Sequence, residues 1–356
     1  MKILHTADLH LTEENSERWA ALAELVRIAR QNRVTALVIA GDLFDHNIEA
    51  EKMRSPLRAA LGGSDFQTII LPGNHDHKAY ASGLYFGENV AVINSWSEPV
   101  KLEGHVIWGL PYERLSGDRL VWRLRELGEM MNPADNNILL FHGELLDAYF
   151  SRHDLGDEGD QRYMPVKLSY FSSLPLQYVL AGHFHSRYAG WQLPGGGLFI
   201  YPGSPVAITR RETGRRVANL VTAGKAPQEI ALNSLHYEEL KITLDPFNPV
   251  DPLEIIDQKL KEISAEARVL LAVEGLFNGQ ALGISEVELA GAIREKAGAR
   301  LAGEPLEGFF DVRHVLEDDL FDKFNSMLSE KDCPPEMKEQ AKEMVIRAFQ
   351  VVKACS

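Results

Sequence analysis

The chain has 356 residues, 45% hydrophobic and 25% charged, with 51 acidic against 37 basic side chains and a formal net charge of −14. That length and balance suit a globular chain of more than one domain and argue against extensive disorder, a collagenous fibre or a membrane-embedded bundle. The acidity also counts against a surface that is basic all over, the simplest footprint of a nucleic-acid binder.

Met1-Lys2 runs straight into Ile3-Leu4 with no signal-like segment, and no apolar run approaches the ~20 residues of a membrane span. The two cysteines, Cys333 and Cys355, stand outside any metal-type cluster. A cytoplasmic protein is expected, with no membrane contact, no disulfide framework and no zinc finger.

From residue 1 to about 205, short apolar runs alternate with amphipathic stretches, the pattern of a layered α/β domain. Strands are expected at Ile3 to Ala7, Ala36 to Ala40, Thr68 to Leu71, Ile138 to Phe141 and Tyr178 to Ala181, with others near Val90, Val106 and Leu198. Most lack polar alternation, which indicates strands covered on both faces. The first helix begins at Ser16, with Trp19, Leu22, Val26 and Ala29 on its apolar face and Glu17, Arg18, Glu24 and Arg30 toward solvent. After the turn at Tyr201 to Pro205, Val217 to Val221, Glu229 to Leu232 and Leu240 to Leu244 read as β-structure, and Asp245 to Pro249 as a linker. Beyond it, Leu253, Ile256, Leu260 and Ile263 repeat at helical spacing. Val269 to Val273 reads as a strand, Val287 to Ala297 as a helix and Phe310 to Val315 as a strand. The tail from Leu316 is helical in pattern, with a stripe of Met337, Ala341, Met344, Val345, Ala348 and Val352. Three regions are therefore expected: a main domain over 1–244, a small α+β domain over 251–315 and a helical tail over 316–356.

Five of the expected strands end in metal-binding residue types: His5-Thr6-Ala7-Asp8-Leu9-His10, Gly41-Asp42, Gly73-Asn74-His75-Asp76, His142-Gly143 and Gly182-His183-Phe184-His185. Carboxyl ends of strands are where open α/β sheets assemble their sites, so these side chains can converge on one crevice. Taken singly, an Asp after a strand is more often a helix cap or turn former. The repetition at five strand ends, beside glycines, is what favours a shared site. Two cations about 3.5 to 4 Å apart need a bridging carboxylate with imidazole and carbonyl ligands. Mixed nitrogen and oxygen ligands without thiolate suit manganese, iron or zinc better than an all-oxygen magnesium cage.

The order of these blocks resembles the calcineurin-like metallophosphoesterase superfamily, whose motifs run D-x-H, G-D, G-N-H-D/E, H and G-H-x-H. The resemblance implies a four-layer α/β fold, a β-sandwich flanked by helices, followed here by the α+β domain as a cap. It implies two divalent ions, manganese foremost. Asp8, His10 and His185 would hold the first, Asn74, His142 and His183 the second, and Asp42 would bridge them. His75 would protonate the leaving oxygen, with Asp76 orienting it, while a metal-bound hydroxide attacks phosphorus in line. Within the superfamily, the N-terminal block through Leu11, Gly41-Asp42-Leu43-Phe44-Asp45 and Tyr201-Pro202-Gly203-Ser204-Pro205 are similar to the SbcD-type DNA exonuclease branch. That branch implies DNA cleavage at double-strand breaks, a homodimer, and an SbcC-type SMC-like ATPase as partner, since this chain has no Walker A loop. Thr12 departs from the glycine common in that branch.

Weaker signals remain. Arg210, Arg211, Arg215 and Arg216 can meet phosphates or form a solvated hairpin. His46 can reach a nucleotide or sit in a surface loop. Two further readings stay open: the same chemistry on a small phosphodiester, nucleotide or phosphoprotein, and a non-catalytic scaffold of the same fold.

Overall fold

The computed structural model describes residues 1–46, 50–80, 84–148, 162–223 and 225–354. Cys355 lies outside the described residues, as does the side chain of Val352. The chain divides into two compact units, Met1–Tyr237 and Glu238–Ser356.

In the first unit, apolar runs without polar alternation become the centres of two six-stranded sheets. The first runs β12-β11-β1-β2-β3-β4, from β1 (Lys2–Thr6), β2 (Ala36–Ala40), β3 (Gln67–Leu71), β4 (Val90–Val92), β11 (Val217–Thr222) and β12 (Gln228–Ala231). The second runs β5-β6-β7-β8-β10-β9, from β5 (Val100–Leu102), β6 (His105–Leu110), β7 (Asn136–His142), β8 (Leu176–Gly182), β9 (Ala189–Gln192) and β10 (Leu198–Tyr201). β1 to β4 are mutually parallel, as are β6, β7, β8 and β10, so within each sheet the carboxyl ends point one way.

Period-2 alternation then sorts side chains into layers. Leu4, Leu37, Ile39 and Ile70 face α1 (Ser16–Asn32) and α2 (Ala50–Leu61). Ile3, Val38, Ile69 and Leu71 face Ile107, Ile138, Leu140 and Leu180 of the other sheet. Leu139, Phe141, Val179 and Phe199 face α3 (Asp118–Met130) through Leu120, Leu124 and Leu127. Helix, sheet, sheet and helix make four layers, as the resemblance implies. The helix α1 starts where the Asn15 side chain accepts a hydrogen bond from Arg18 N, and it buries Leu25 and Ile28 beside the expected Leu22, Val26 and Ala29.

β13 (His236–Leu244), which enters the second unit at Glu238, forms a sheet there with β14 (Ala267–Phe277) and β15 (Leu306–Asp311), in that order. Ile256 and Leu260 of α4 (Pro252–Glu262) and Leu289 and Ile293 of α6 (Glu286–Ala297) pack with Val269, Leu271 and Val273. The short helices α5 (Gly279–Leu282) and α7 (Arg313–Leu316) flank this core, and α8 (Asp319–Ser329) and α9 (Pro335–Ala354) follow.

Two expectations need correction here. The strand expected over Phe310 to Val315 instead spans Leu306–Asp311, because the Asp311 carboxylate accepts from Gly279 N and Arg313 N and turns the chain into α7. The apolar stripe of the tail is displaced in part: Met337 and Met344 are exposed, Val345 is partly buried, and the neighbouring Ile346 is fully buried, packed with Leu276, Val312, Val315 and Phe321. The edge strands β5 and β9 carry no continuous apolar run and left no sequence signal.

Leu37 is fully buried in β2 against the helical layer. Leu37→Ala is expected to lower stability in urea denaturation by about 2 to 5 kcal/mol. A loss of only about 0.5 kcal/mol, the value for surface positions, would contradict the covered sheet.

Candidate metal centre

The parallel pairing of β1, β2 and β3, and of β7 and β8, brings the five motif segments to adjacent strand ends. Two ladder-like bonds continue past the strands, from Asp8 N to Gly41 O at 3.1 Å and from His10 N to Asp42 O at 2.9 Å. The sheets are then laced together. Asp8 accepts from His183 N at 3.1 and 3.0 Å, and His142 Nδ1 meets Ala40 O at 2.8 Å. This close approach requires glycine. A Cβ on Gly41, whose φ is +99°, would lie 1.8 Å from His142 Nδ1, and one on Gly182 would lie 2.1 Å from Ala40 O.

The backbone is also held in a costly shape. Among the described residues, seven non-glycine residues have positive φ, and four of them are Asp8, His10, Asp42 and His183. Left-handed conformation in such residues concentrates where the surroundings over-determine it, typically at functional sites.

The polar atoms crowd together. Asp8, His10 and His185 offer ligand atoms within 4.8 Å of one another, as do Asp8, Asp42 and His142. His10 Nε2 is 3.3 Å from His185 Nε2, and His142 Nε2 is 2.9 Å from Asn74 Oδ1. The His183 ring centroid is 5.4 Å from that of His142. Asp42 Oδ1 accepts from His75 N at 2.9 Å. Among the described residues its Oδ2 accepts no geometrically sound hydrogen bond, although His142 Nε2 stands 3.1 Å away, His10 Nε2 3.9 Å and His75 Nε2 4.0 Å.

These residues fit a pair of divalent ions. The proton of His142 belongs on Nδ1, facing a carbonyl that can only accept. With His142 neutral, its Nε2 lone pair faces the oxygens of Asn74 and Asp42, an arrangement that repels unless a proton or a metal cation lies among them. Burial opposes charge on His142, but the neighbouring carboxylates of Asp42 and Asp8 outweigh it and push its pKa up to about 9. The pocket thus calls for positive charge. The donor set of imidazole, carboxylate and amide oxygen matches the borderline metals.

The structure gives Asp76 a place of its own. Its carboxylate accepts from Gly73 N at 2.7 Å, Tyr80 Oη at 2.8 Å and Phe44 N at 3.2 Å, shaping the loop that carries Asn74 and His75. Burial, then the charge of Asp42, raises its pKa to about 6. The carboxylate that meets His75 Nδ1 is that of Asp45, at 3.4 Å. Asp45 is anchored by Arg18 at 2.8 Å, and Arg18 also donates to His10 O. Arg18 therefore turns inward rather than to solvent, because its long side chain spans from α1 to the loop after β2. His46 is exposed and stacks on His75 with centroids 3.5 Å apart. Thr12 has no positive φ, so its loop needs no glycine, and its Oγ1 accepts from Asn15 N.

The arginine cluster separates. Arg210 and Arg211 are exposed, and Arg215 donates to Asn233 Oδ1 at 3.0 Å. Arg216 is 2% exposed and donates to the carbonyls of Ser204, Ser186 and His185, so it is a buried brace and no phosphate contact. Beside it lies a residue the sequence did not single out. Glu212 is fully buried, with Oε1 3.5 Å from His185 Nδ1. Burial pushes its carboxyl up, but the contact with His185, the Ile208 N–H and the charge of Arg216 outweigh burial and bring it down to about 2.

Comparison with known proteins adds family relationships to this geometry. The profile described as calcineurin-like phosphoesterase matches residues 1–187. The chain is 24% identical over 304 residues to the DNA double-strand break repair protein Mre11 of Sulfolobus acidocaldarius, covering 77% of this chain and 74% of that protein. It is 37% identical over 87 residues to the SbcD subunit of the nuclease SbcCD of Rhodobacter capsulatus, covering 21% of this chain and 22% of that protein. To the same-named protein of Escherichia coli (strain K12) it is 24% identical over 285 residues, covering 65% and 68%.

The close approach of the sheets can be tested directly. Gly182→Ala is expected to force β2 and β8 apart, destabilise the chain by about 1 to 3 kcal/mol, and reduce the metal retained after dialysis, read by atomic emission. Full retention of metal in a stably folded variant would contradict the described contact.

Proposed function

Because the chain belongs to the calcineurin-like phosphoesterase family, we propose that it is a two-metal DNA nuclease, cleaving phosphodiester bonds as exonuclease and endonuclease at double-strand ends or hairpins. Asp8, His10 and His185 hold one divalent ion in this reading, Asn74, His142 and His183 the other, and Asp42 is shared. Manganese is the proposed metal. The observation that carries the reading is the buried Asp42 Oδ2, bare of sound hydrogen bonds and faced by imidazole nitrogens from three segments.

When bound, such ions act as Lewis acids on phosphate oxygens and lower the pKa of water from 15.7 to about 7. The remaining work falls to the chain itself. The His75 side chain is 12% exposed while those of Asp8, Asp42 and His142 are at 0%, so its ring is the one that reaches the mouth of the pocket. Asp45 against Nδ1 stabilises the imidazolium, whose Nε2 proton passes to the leaving oxygen. Asp76 acts one step back, fixing the loop that presents His75. His46, stacked outside His75, and the exposed Arg210 and Arg211 are the proposed contacts for nucleotide and phosphate.

The names of the relatives support DNA as substrate, and two of them are named as one subunit of a nuclease, which supports work within an assembly. We extend this to an SbcC-type SMC-like ATPase partner and a homodimer. Residues 1–244 then act as the nuclease, 251–315 as the DNA-contacting cap and 316–356 as a partner-binding tail. No helix among the described residues is long and apolar enough to cross a membrane, and a cytoplasmic location is proposed. The net charge of −14 favours a second reading, a small phosphoester as substrate, because acidity weakens long-range attraction to a polyanion.

End-labelled duplex DNA and bis(p-nitrophenyl) phosphate, each incubated with the chain and manganese, separate these readings. DNA cleavage is expected, abolished by a chelator, restored by manganese, and reduced about 10²- to 10⁴-fold in His75→Ala, the usual span for losing a general acid. Turnover of the small ester alone would favour the second reading, and inertness toward both would defeat the two together.

A further inference from the structure

Three histidines of the pocket share one polarity, with Nε2 turned inward and Nδ1 outward. Inward, His10 Nε2 and His185 Nε2 approach to 3.3 Å, and His142 Nε2 stands 3.1 Å from Asp42 Oδ2. Outward, each Nδ1 faces an oxygen, as a hydrogen bond for His142 and at ion-pair distance for His10 and His185, and these oxygens differ. His142 Nδ1 meets the neutral carbonyl of Ala40 at 2.8 Å. His10 Nδ1 lies 3.9 Å from Asp45, a half-buried carboxylate already engaged by Arg18 and His75. His185 Nδ1 lies 3.5 Å from Glu212 Oε1, whose side chain is completely buried.

Glu212 is built into its position. Its carboxylate accepts from Ile208 N at 2.8 Å, Ser204 Oγ at 3.1 Å, and Thr209 N and Oγ1 at 3.2 Å each. Arg216 supplies the neighbouring positive charge and clamps the carbonyls of His185 and Ser204. A carboxylate accepting four donors is ionised, and a buried ion is retained only at a cost of several kcal/mol unless it is well paired. A carboxylate behind a ligating imidazole fixes the tautomer and raises the ligand's basicity.

We infer that Glu212 is the positioning residue for one of the two metal positions, the one held by Asp8, His10 and His185: its buried charge keeps His185 protonated at Nδ1 and ligating through Nε2. Behind His142, in the other position, stands the neutral carbonyl of Ala40 rather than a carboxylate, so the charge of Glu212 bears on the first position. This inference rests on the two-metal reading above.

The test is a calorimetric titration of manganese into the metal-stripped full chain, with electron paramagnetic resonance at two equivalents. Wild-type protein is expected to bind two ions and give the spectrum of a spin-coupled pair. Glu212→Gln keeps an oxygen for His185 but removes the charge. It should weaken one ion about 10- to 100-fold, leave the other unchanged, and replace the coupled spectrum with that of an isolated ion. Thr209→Val, which removes one donor to Glu212 and leaves its charge, should bind both ions as wild type does. Equal binding of both ions in Glu212→Gln, or an equal loss in Thr209→Val, overturns the inference while the two-metal reading stands. Wild-type protein that binds no pair of ions overturns that reading itself. If Glu212→Gln fails to fold, Glu212→Asp retains the charge but retracts it from His185, and wild-type affinity there likewise counts against the inference.

Discussion

The mutual repulsion of lone pairs in a buried pocket is the constraint from which the rest of the first unit follows. Asp8, Asp42 and His142 are fully buried, and the oxygens of the two carboxylates share their space with imidazole nitrogens. Burial drives the Asp8 carboxyl upward, His185 and His142 pull it back, and Asp42 pushes it up again. A proton on His142 Nε2 relieves part of this repulsion, but only by charging a fully buried imidazole. A metal cation placed among these atoms relieves it as well, and it also binds the two sheets, because Asp42 belongs to one and His142 to the other.

The two sheets give this pocket its rigidity. Each ligand-bearing segment leaves a strand whose side chains are covered on both faces, so it cannot shift without disturbing a packed layer. Behind the ligands stands a further set of contacts: Arg18 with Asp45, Tyr80 with Asp76, and Arg216 with the carbonyl of His185. Each of these ties a strand-end segment to a helix or to a later turn. The positions of the inner atoms are thereby fixed from outside the pocket.

Much of this was legible in the sequence, for identifiable reasons. Strands covered on both faces leave continuous apolar runs, and Ala36 to Ala40 appears in the structure with the same limits. The edge strands Val100–Leu102 and Ala189–Gln192 are half exposed and leave no such run. Asp, Asn and His at strand ends stand out by residue type and place. Glu212 does not, because it sits in a turn beside arginines and resembles any solvated charge until the fold carries it behind His185. Arg18 lies on a helix that shows its apolar face correctly, and its reach back to Asp45 depends on a loop that helical periodicity does not describe. In the second unit, β15 buries only Phe309 outright, which explains why hydrophobic pattern misplaced it.

The left-handed backbone at Asp8, His10, Asp42 and His183 carries a consequence for stability. Non-glycine residues in that region cost of order 1 to 3 kcal/mol each, and only the need for their side chains justifies keeping them. Glycine occupies the same conformation with no such penalty. A chain of this fold that needed only its shape would be more stable with glycine at these four positions. Glycine at any of them would relieve that cost only by removing a carboxylate or imidazole from which the pocket is built.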